Sequence, residues 1–368
     1  MSRLDPEFQQ SLDMLSDSLS AFLRDNWDFN ARREAIKSSS GWSASLWSSL
    51  CSELGLLGAA EDETLGGMGL GLASQGQIAR VLGQNLTLTP YLESAVIGAA
   101  LMRHGGPAAD HALQLAIQGT IYAPALYEPH SRYNAHAVAS VASSSGQDWH
   151  ISGHKRLVRC APWAAALIVS ARTANGLSLF IVDPKALGVR LSPIALHDGQ
   201  MAAEIQLSEV RGTLIHSEGK ASPVITRAIN EGTYALCAEA VGVMTRLTDA
   251  TLDYVRQRKQ FGLPIGTFQT LQFRLADMAM ALEEAEAILA PTLAALQSDD
   301  NELASRAVSA AKLTIDRACE TVSCGAVQLH GAIGLTDELD VSHAFKRALM
   351  IQHELGDSHT HADRPIAA

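Results

Sequence analysis

Three cations and two amides crowd one short stretch of the chain. Arg256, Arg258 and Lys259 stand just before Phe261-Gly262-Leu263-Pro264-Ile265-Gly266, and Gln269 and Gln272 follow just after it. A guanidinium offers a planar fork of donors that matches phosphate oxygens, and an ammonium adds a point charge. Held on a corner, such groups suit a phosphate-bearing cofactor. The plainer alternative is a basic helix end turned to solvent. A second set of ligand-type side chains, His353, Asp357, His359 and His361, lies near the C-terminus. Its spacing matches no geometric metal motif, so no metal is expected, and a polar tail in a subunit interface is the reading. Five cysteines (Cys51, Cys160, Cys237, Cys319, Cys324) are scattered without metal-like pairing. Each sits in or near an apolar run, which reads as buried thiols in a reducing compartment.

A corner needs a helix on each side. Asp253 to Lys259 reads as the end of one helix, and Phe268 opens the next. Gly262 and Gly266 suit helix ends, and Pro264 cannot continue a helix. Upstream, Phe8, Leu12, Leu15, Leu19 and Leu23 recur at helical spacing, and Trp42, Leu46, Leu50 and Leu54 form a second stripe that stops at Gly55. The Gly-rich run from Glu61 to Gly71 lacks the following Lys-Ser/Thr of a phosphate loop. Helices are read from Leu72 to Leu82 and from Leu92 to His104. Between residues 121 and 219 the pattern changes: Val138–Ala142, Trp149–Gly153, Ala166–Ser170 and Leu177–Val182 are short runs bounded by turns, and read as strands. From about residue 223 helical periodicity returns, with three long faces, including Leu275, Met278, Leu282, Ala285, Leu289, Leu293 and Leu296 as one.

The expected class is α+β, mainly α: an N-terminal helical domain (1–120), a small central β-domain (121–219) and a C-terminal four-helix bundle (220–368). The 368 residues, 47% hydrophobic and 18% charged, fit a globular protein with a large core. A net charge of -11 argues against nucleic acid. No leader is read in MSRLDPEFQQSLDML, and no apolar run is long enough for a membrane, so a cytoplasmic protein is expected.

The corner also carries a resemblance. Arg258-Lys259-Gln260-Phe261-Gly262, Pro264-Ile265, Phe268-Gln269 and Ala276-Asp277-Met278 resemble the flavin-contacting corner of the acyl-CoA dehydrogenase family. The likeness extends over nearly the whole chain, through DFNARREA, the GGMGLG loop, Ser152-Gly153-His154-Lys155 and the run from Val169 to Asp183. Leu236 to Gly242, Ala326 to Gly331, Phe345-Lys346-Arg347 and Gly356-Asp357 resemble most closely the small subunit of pimeloyl-CoA-dehydrogenase-type enzymes, relatives of the heteromeric enzymes of steroid breakdown. The resemblance implies FAD, an acyl-CoA thioester desaturated between its α and β carbons, and an acceptor such as electron-transfer flavoprotein. It implies that Arg258, Gln260, Phe261, Phe268, Gln269, Gln328, His330 and Gly331 reach the flavin held by a neighbouring subunit. Ala332 stands where a second glycine is common, which narrows that approach.

That reaction needs a carboxylate base. In the family it stands either immediately before the glycine that is Gly356 here, or ten residues before the one that is Gly242 here. Those positions hold Leu355 and Gly232, and neither side chain can take a proton. Glu354 and Glu231 lie one residue away, a turn of roughly 100° on a helix. Both are expected to be solvated helix glutamates, and Glu239 and Asp357 are the remaining weak candidates. Leu157 and Arg159 occupy places where many members put an aromatic and a Thr/Ser beside the ring system. Arg159 and Arg132 read as surface arginines, or else as cations for a dicarboxylyl substrate. A chain that keeps the nucleotide clamp and lacks the base is expected to be one subunit of a heteromer, α2β2, with a related base-bearing chain. The alternatives are a self-sufficient dehydrogenase with a relocated base, and a non-catalytic structural partner.

Overall fold

The computed structural model describes residues 6–38, 40–146 and 148–363. Residues 1–5, part of the N-terminus read as leaderless, lie outside them. The chain opens with α1 (Pro6–Asn26), α2 (Phe29–Lys37), α3 (Ala44–Ser52), α4 (Gly71–Gln84), α5 (Ala99–Met102) and α6 (Pro107–Ile117). A π-helical segment, Tyr91–Gly98, buried along its whole length, runs into α5. Seven strands follow: β1 (Tyr122–Ala125), β2 (Val141–Ser145), β3 (Asp148–Arg159), β4 (Ala166–Thr173), β5 (Gly176–Val182), β6 (Val189–Ala195) and β7 (Met201–Leu214). Then come α7 (Ala221–Gln257), β8 (Lys259–Gln260), β9 (Leu263–Pro264), α8 (Gln269–Ala287), α9 (Leu289–Leu296), α10 (Asn301–His330), α11 (Asp340–Ile351) and α12 (Ser358–Ala362). The class is α+β and mainly α, with a sheet in the middle of the chain and a helical bundle after it. No helix among the described residues is long and apolar enough to cross a membrane.

Two compact units emerge. One gathers Met1–Arg33, Leu72–Thr87 and Thr233–Ala368, and the other Glu34–Gly71 and Leu88–Gly232. The sheet belongs to the second. Its strands β4, β2, β3, β7 and β5 close into a ring, because β5 pairs back with β4, while β1 adds to β4 and β6 to β7. Ile151, Leu167, Val169, Leu179, Phe180, Ala203 and Ile205 are all buried. The strands β1, β6 and β7 go beyond those that the sequence pattern marks.

The first unit is helical. The helices α8, α9, α11 and α12 pack on α10, and Tyr234 of α7 joins Leu72, Leu296, Ala304 and Val308 in one cluster. Its α4 and α7 touch through backbone. A Cβ on Gly83 would stand 2.2 Å from the Glu239 carbonyl oxygen, and one on Gly242 would stand 2.0 Å from that of Arg80. Only glycine permits this approach. The single apolar stripe from Leu275 to Leu296 is divided between α8 and α9, which meet at Ile288.

Candidate cofactor corner and buried carboxylates

The corner forms as a hairpin between two helices. α7 stops at Gln257, two residues earlier than the sequence pattern indicates. Lys259 pairs with Pro264 and Gln260 with Leu263. The two residues between them, Phe261 and Gly262, both have positive φ, at 52° and 80°. That is the geometry of a tight primed hairpin turn, natural for glycine and strained for phenylalanine. Strained backbone of this kind gathers at binding sites. The turn carries Phe261 out of the protein at 91% exposure. Phe268 stands at the head of α8 and meets Phe261 edge to face at 6.2 Å.

Among the described residues, the side chains of Arg258, Gln260, Gln269 and Gln328 have no hydrogen-bond partner within the chain. Gln272 differs, since it donates to the Gly266 carbonyl at 3.1 Å. The corner and the end of α10 meet. Tyr254, one turn before Arg258, stacks on His330 with ring centroids 4.4 Å apart. His330 Nδ1–H donates to the Ala326 carbonyl at 2.8 Å. That bond fixes the tautomer and leaves Nε2 as an acceptor in the neutral ring. Beside it, a Cβ on Gly331 would meet nothing within 4 Å.

The carboxylates one residue from the two base positions are not solvated. Glu231 is 2% exposed and accepts from Arg103 Nη1 at 2.7 Å and Arg227 Nε at 2.6 Å. Arg103 also forks onto Glu61, itself 2% exposed, through Nε at 3.0 Å and Nη2 at 2.8 Å. Burial works against the charge on Arg103, but Glu231 and Glu61 more than offset it and hold the guanidinium above its ordinary pKa. In the helical unit, Arg347 is 4% exposed and lies between two more acids. It reaches Glu354 through Nη1 at 2.5 Å and Glu239 through Nε at 2.6 Å. The expected solvation of Glu231 and Glu354 is thus corrected: each helix face turns inward and each acid meets a fixed guanidinium. Local sequence carries no sign of these ties, since most of the paired residues are far apart along the chain. Leu355, at the last-helix base position, has left-handed backbone with φ 56°.

The sheet face also differs from a surface. Arg159 is a partly buried, paired residue rather than a surface cation. Its Nε donates to Glu93 of the π-helical segment at 2.7 Å and its Nη2 to Gln200 at 2.6 Å, with Asp198 at 3.9 Å. An irregularity in β3 between Lys155 and Val158 makes a bulge that leaves Leu157 at φ 48° and 48% exposed. Behind the sheet, Lys155 is fully buried and donates to Glu128 at 2.7 Å and Ser170 at 3.1 Å. Burial pulls Lys155 down to about 8, with Glu128 opposing.

The C-terminal polar cluster serves the fold. Asp357 caps α12 by accepting from the Thr360 N–H at 2.9 Å. His361 is 1% exposed and lies between Ser309 and the Leu355 carbonyl, each at 3.2 Å. No group of three or more His, Cys, Asp or Glu among the described residues could hold a metal ion. Cys160, Cys237 and Cys319 are buried, whereas Cys324, on the outer face of α10, is exposed, contrary to its apolar surroundings in sequence.

Lys312, fully buried, clips α10 to the C-terminal segment by donating to Asp316 at 2.7 Å and to the Gly356 carbonyl at 3.1 Å. Burial pushes Asp316 up to about 6, against the pull of Lys312. A carboxyl raised on folding contributes stability that is full below its unfolded pKa, and that is lost as pH rises through its folded one. The stability of the native chain relative to Asp316→Asn should therefore fall between about pH 4 and 7 by on the order of 1–3 kcal/mol. Urea titrations of both proteins across that range check it. A difference that grows with pH would contradict it.

Known proteins share this fold. Residues 123–211 match the family model for the acyl-CoA dehydrogenase middle domain, and residues 222–364 the one for the acyl-CoA dehydrogenase C-terminal domain. The chain is 29% identical to acyl-CoA dehydrogenase IpdE2 of Mycobacterium tuberculosis, over 93% of this chain and 91% of that one. It is 29% identical to the probable acyl-CoA dehydrogenase YngJ of Bacillus subtilis, over 86% and 87%. Among solved structures, it resembles a variant of the Tcur3481-Tcur3483 steroid ACAD at a TM-score of 0.89 and 26% identity, over 97% of both chains. It resembles the ChsE4-ChsE5 complex of Mycobacterium tuberculosis at 0.88 and 25%, over 99% and 97%.

Proposed function

The chain belongs to the acyl-CoA dehydrogenase family of oxidoreductases, and on that footing we propose that it is the base-lacking subunit of a heteromer, completing an FAD site whose base stands on a related partner chain. One observation carries the reading. Neither base position holds an acid, and the nearest acids, Glu231 and Glu354, are tied to Arg103, Arg227 and Arg347. A carboxylate whose oxygens are engaged by fixed guanidinium donors is committed to that ion pair and is not free to approach a substrate carbon. Glu239 shares Arg347, and Asp357 caps a helix, so no relocated base is favoured.

The corner fits the adenine and phosphate end of FAD. Among the described residues the side chains of Arg258, Gln260 and Gln269 have no hydrogen-bond partner, Phe261 is bare, and Gly331 leaves room for close approach. Arg258, Gln260 and Gln269 would bind the phosphates, Phe261 and Phe268 would flank them, and Gln328, His330 and Gly331 would hold the adenosine. When bound, FAD supplies the hydride acceptor for an acyl-CoA thioester. Arg159, held by Glu93 and Gln200, and the outward Leu157 make this chain's own sheet face a poor seat for a flavin ring.

Apolar side chains stand bare on the corner and α8: Phe273 at 61% and Met280 at 59%, with Leu263 at 53%. Exposed apolar surface of this kind marks an interaction face. The partner is a related dehydrogenase chain, two copies of each, with an electron-transfer flavoprotein as acceptor. The names of two similar solved structures, a paired steroid enzyme and a two-chain complex, support a heteromer.

The test is expression alone and together with a related, base-bearing chain. The pair should carry flavin absorbance and oxidise acyl-CoA, and the chain alone should do neither. Turnover with full flavin occupancy by the chain alone would overturn the reading.

A further inference from the structure

We infer that Tyr254 is a positioning residue for the nucleotide clamp, locking the end of α7 to the end of α10 and so setting the spacing between Arg258 and the Gln328–Gly331 turn. The inference rests on the FAD reading above. The backbone of Tyr254 carries one half of the clamp, since its carbonyl accepts the Arg258 N–H at 2.8 Å. Its side chain grips the other half twice. The ring stacks on the His330 imidazole, centroids 4.4 Å apart and planes 25° from parallel. The hydroxyl donates to the His330 carbonyl oxygen at 3.3 Å. His330 is in turn fixed by its Nδ1–H to Ala326, inside the last turn of α10.

The two halves are distant along the chain. From Tyr254 to His330 the covalent path runs through the hairpin, α8, α9 and all of α10. Tyr254 is the direct route between them. Among the described residues, the Arg258 and Gln328 side chains have no partners to steady them. Their placement depends on the backbone that bears them, and preorganised donors bind with less ordering entropy than loose ones. Tyr254 need not touch the nucleotide for its loss to be felt.

The experiment uses the assembled heteromer, stripped of flavin, with FAD, ADP and FMN titrated separately by calorimetry. Native protein is compared with Tyr254→Phe, which keeps the stack, and Tyr254→Leu, which loses both grips. The leucine variant should bind FAD and ADP about tenfold more weakly, the equivalent of one aromatic stack. Its affinity for FMN, which lacks the adenosine, should be unchanged. The phenylalanine variant should restore most of the ADP affinity. Should the leucine variant fail to assemble, Tyr254→Met, which fills the space without a ring or a hydroxyl, gives the same comparison. ADP binding as tight in these variants as in native protein overturns the inference. Equal weakening of FMN also overturns it, because general loosening would then be the cause. A native heteromer that takes no FAD at all sinks the underlying reading instead.

Discussion

Replacing Arg103 with methionine should destabilise the chain by about 3–5 kcal/mol, the usual result of stripping one partner from a buried ion pair. Glu61 would be left with no cation beside it, at 2% exposure. Glu231 would retain only Arg227. The desolvation cost is a property of the acids left behind, so a second change should recover part of the loss. Arg103→Met with Glu61→Gln is expected to be more stable than Arg103→Met alone. Denaturant midpoints of the three proteins, read with circular dichroism, decide the matter. A single-variant loss below about 1 kcal/mol would mean that water reaches these groups and that the network is open to solvent. The same experiment bears on chemistry, since Arg103 and Arg227 are what hold the Glu231 carboxylate in place.

The second large effect concerns the α4–α7 crossing. Gly242→Val should yield little or no folded protein. Its Cβ would lie 2.0 Å from the Arg80 carbonyl oxygen and 2.7 Å from the Gln84 nitrogen. Both are backbone atoms, so no rotamer change relieves the clash, and the helices must separate. Ordinary overpacking costs roughly 1–3 kcal/mol, and a clash with two backbone atoms should exceed that range. Separation there would also disturb the Arg347–Glu239 pair, because Glu239 backs onto Gly83 in the same crossing. Gly106, around which a Cβ would meet nothing within 4 Å, is the control. Gly106→Ala should change stability by about 1 kcal/mol or less. Soluble yield and thermal melting report both outcomes. A Gly242→Val protein that melts with the native one would refute the close approach.

Much of the architecture was legible because it depends on local periodicity. α3, α4, α7 and α10 each bury a stripe, and β3, β4 and β5 carry apolar runs between turns. β7 escapes notice because its buried positions include Ala202 and Ala203, too small to signal a strand, and a positive φ at Glu209 breaks the alternation. β6 is largely exposed and shows no buried face at all. The stripe on α8 turns inward, with Met278 and Ala285 buried and Leu275 and Leu282 half-buried, while Phe273 and Met280, outside the stripe, are exposed. Apolar spacing marks a face that avoids water without saying what covers it. The corner could be found because its donors are neighbours in sequence. The ion networks could not, since Arg103 joins residues from separate parts of the chain, and Glu231 looks like any helix glutamate until its face is known to turn inward.

Ring closure of the sheet has a further meaning for the chain's behaviour on its own. A flat sheet with two bare rims invites another chain to add on as one more strand. Here the two strands appended to the circle each contain a proline, Pro124 in β1 and Pro193 in β6. A proline has no N–H to offer an incoming strand. At β1 the Tyr122 N–H is already taken by the Ser94 hydroxyl. A newly made copy would therefore resist fibril-like stacking through β1 and β6.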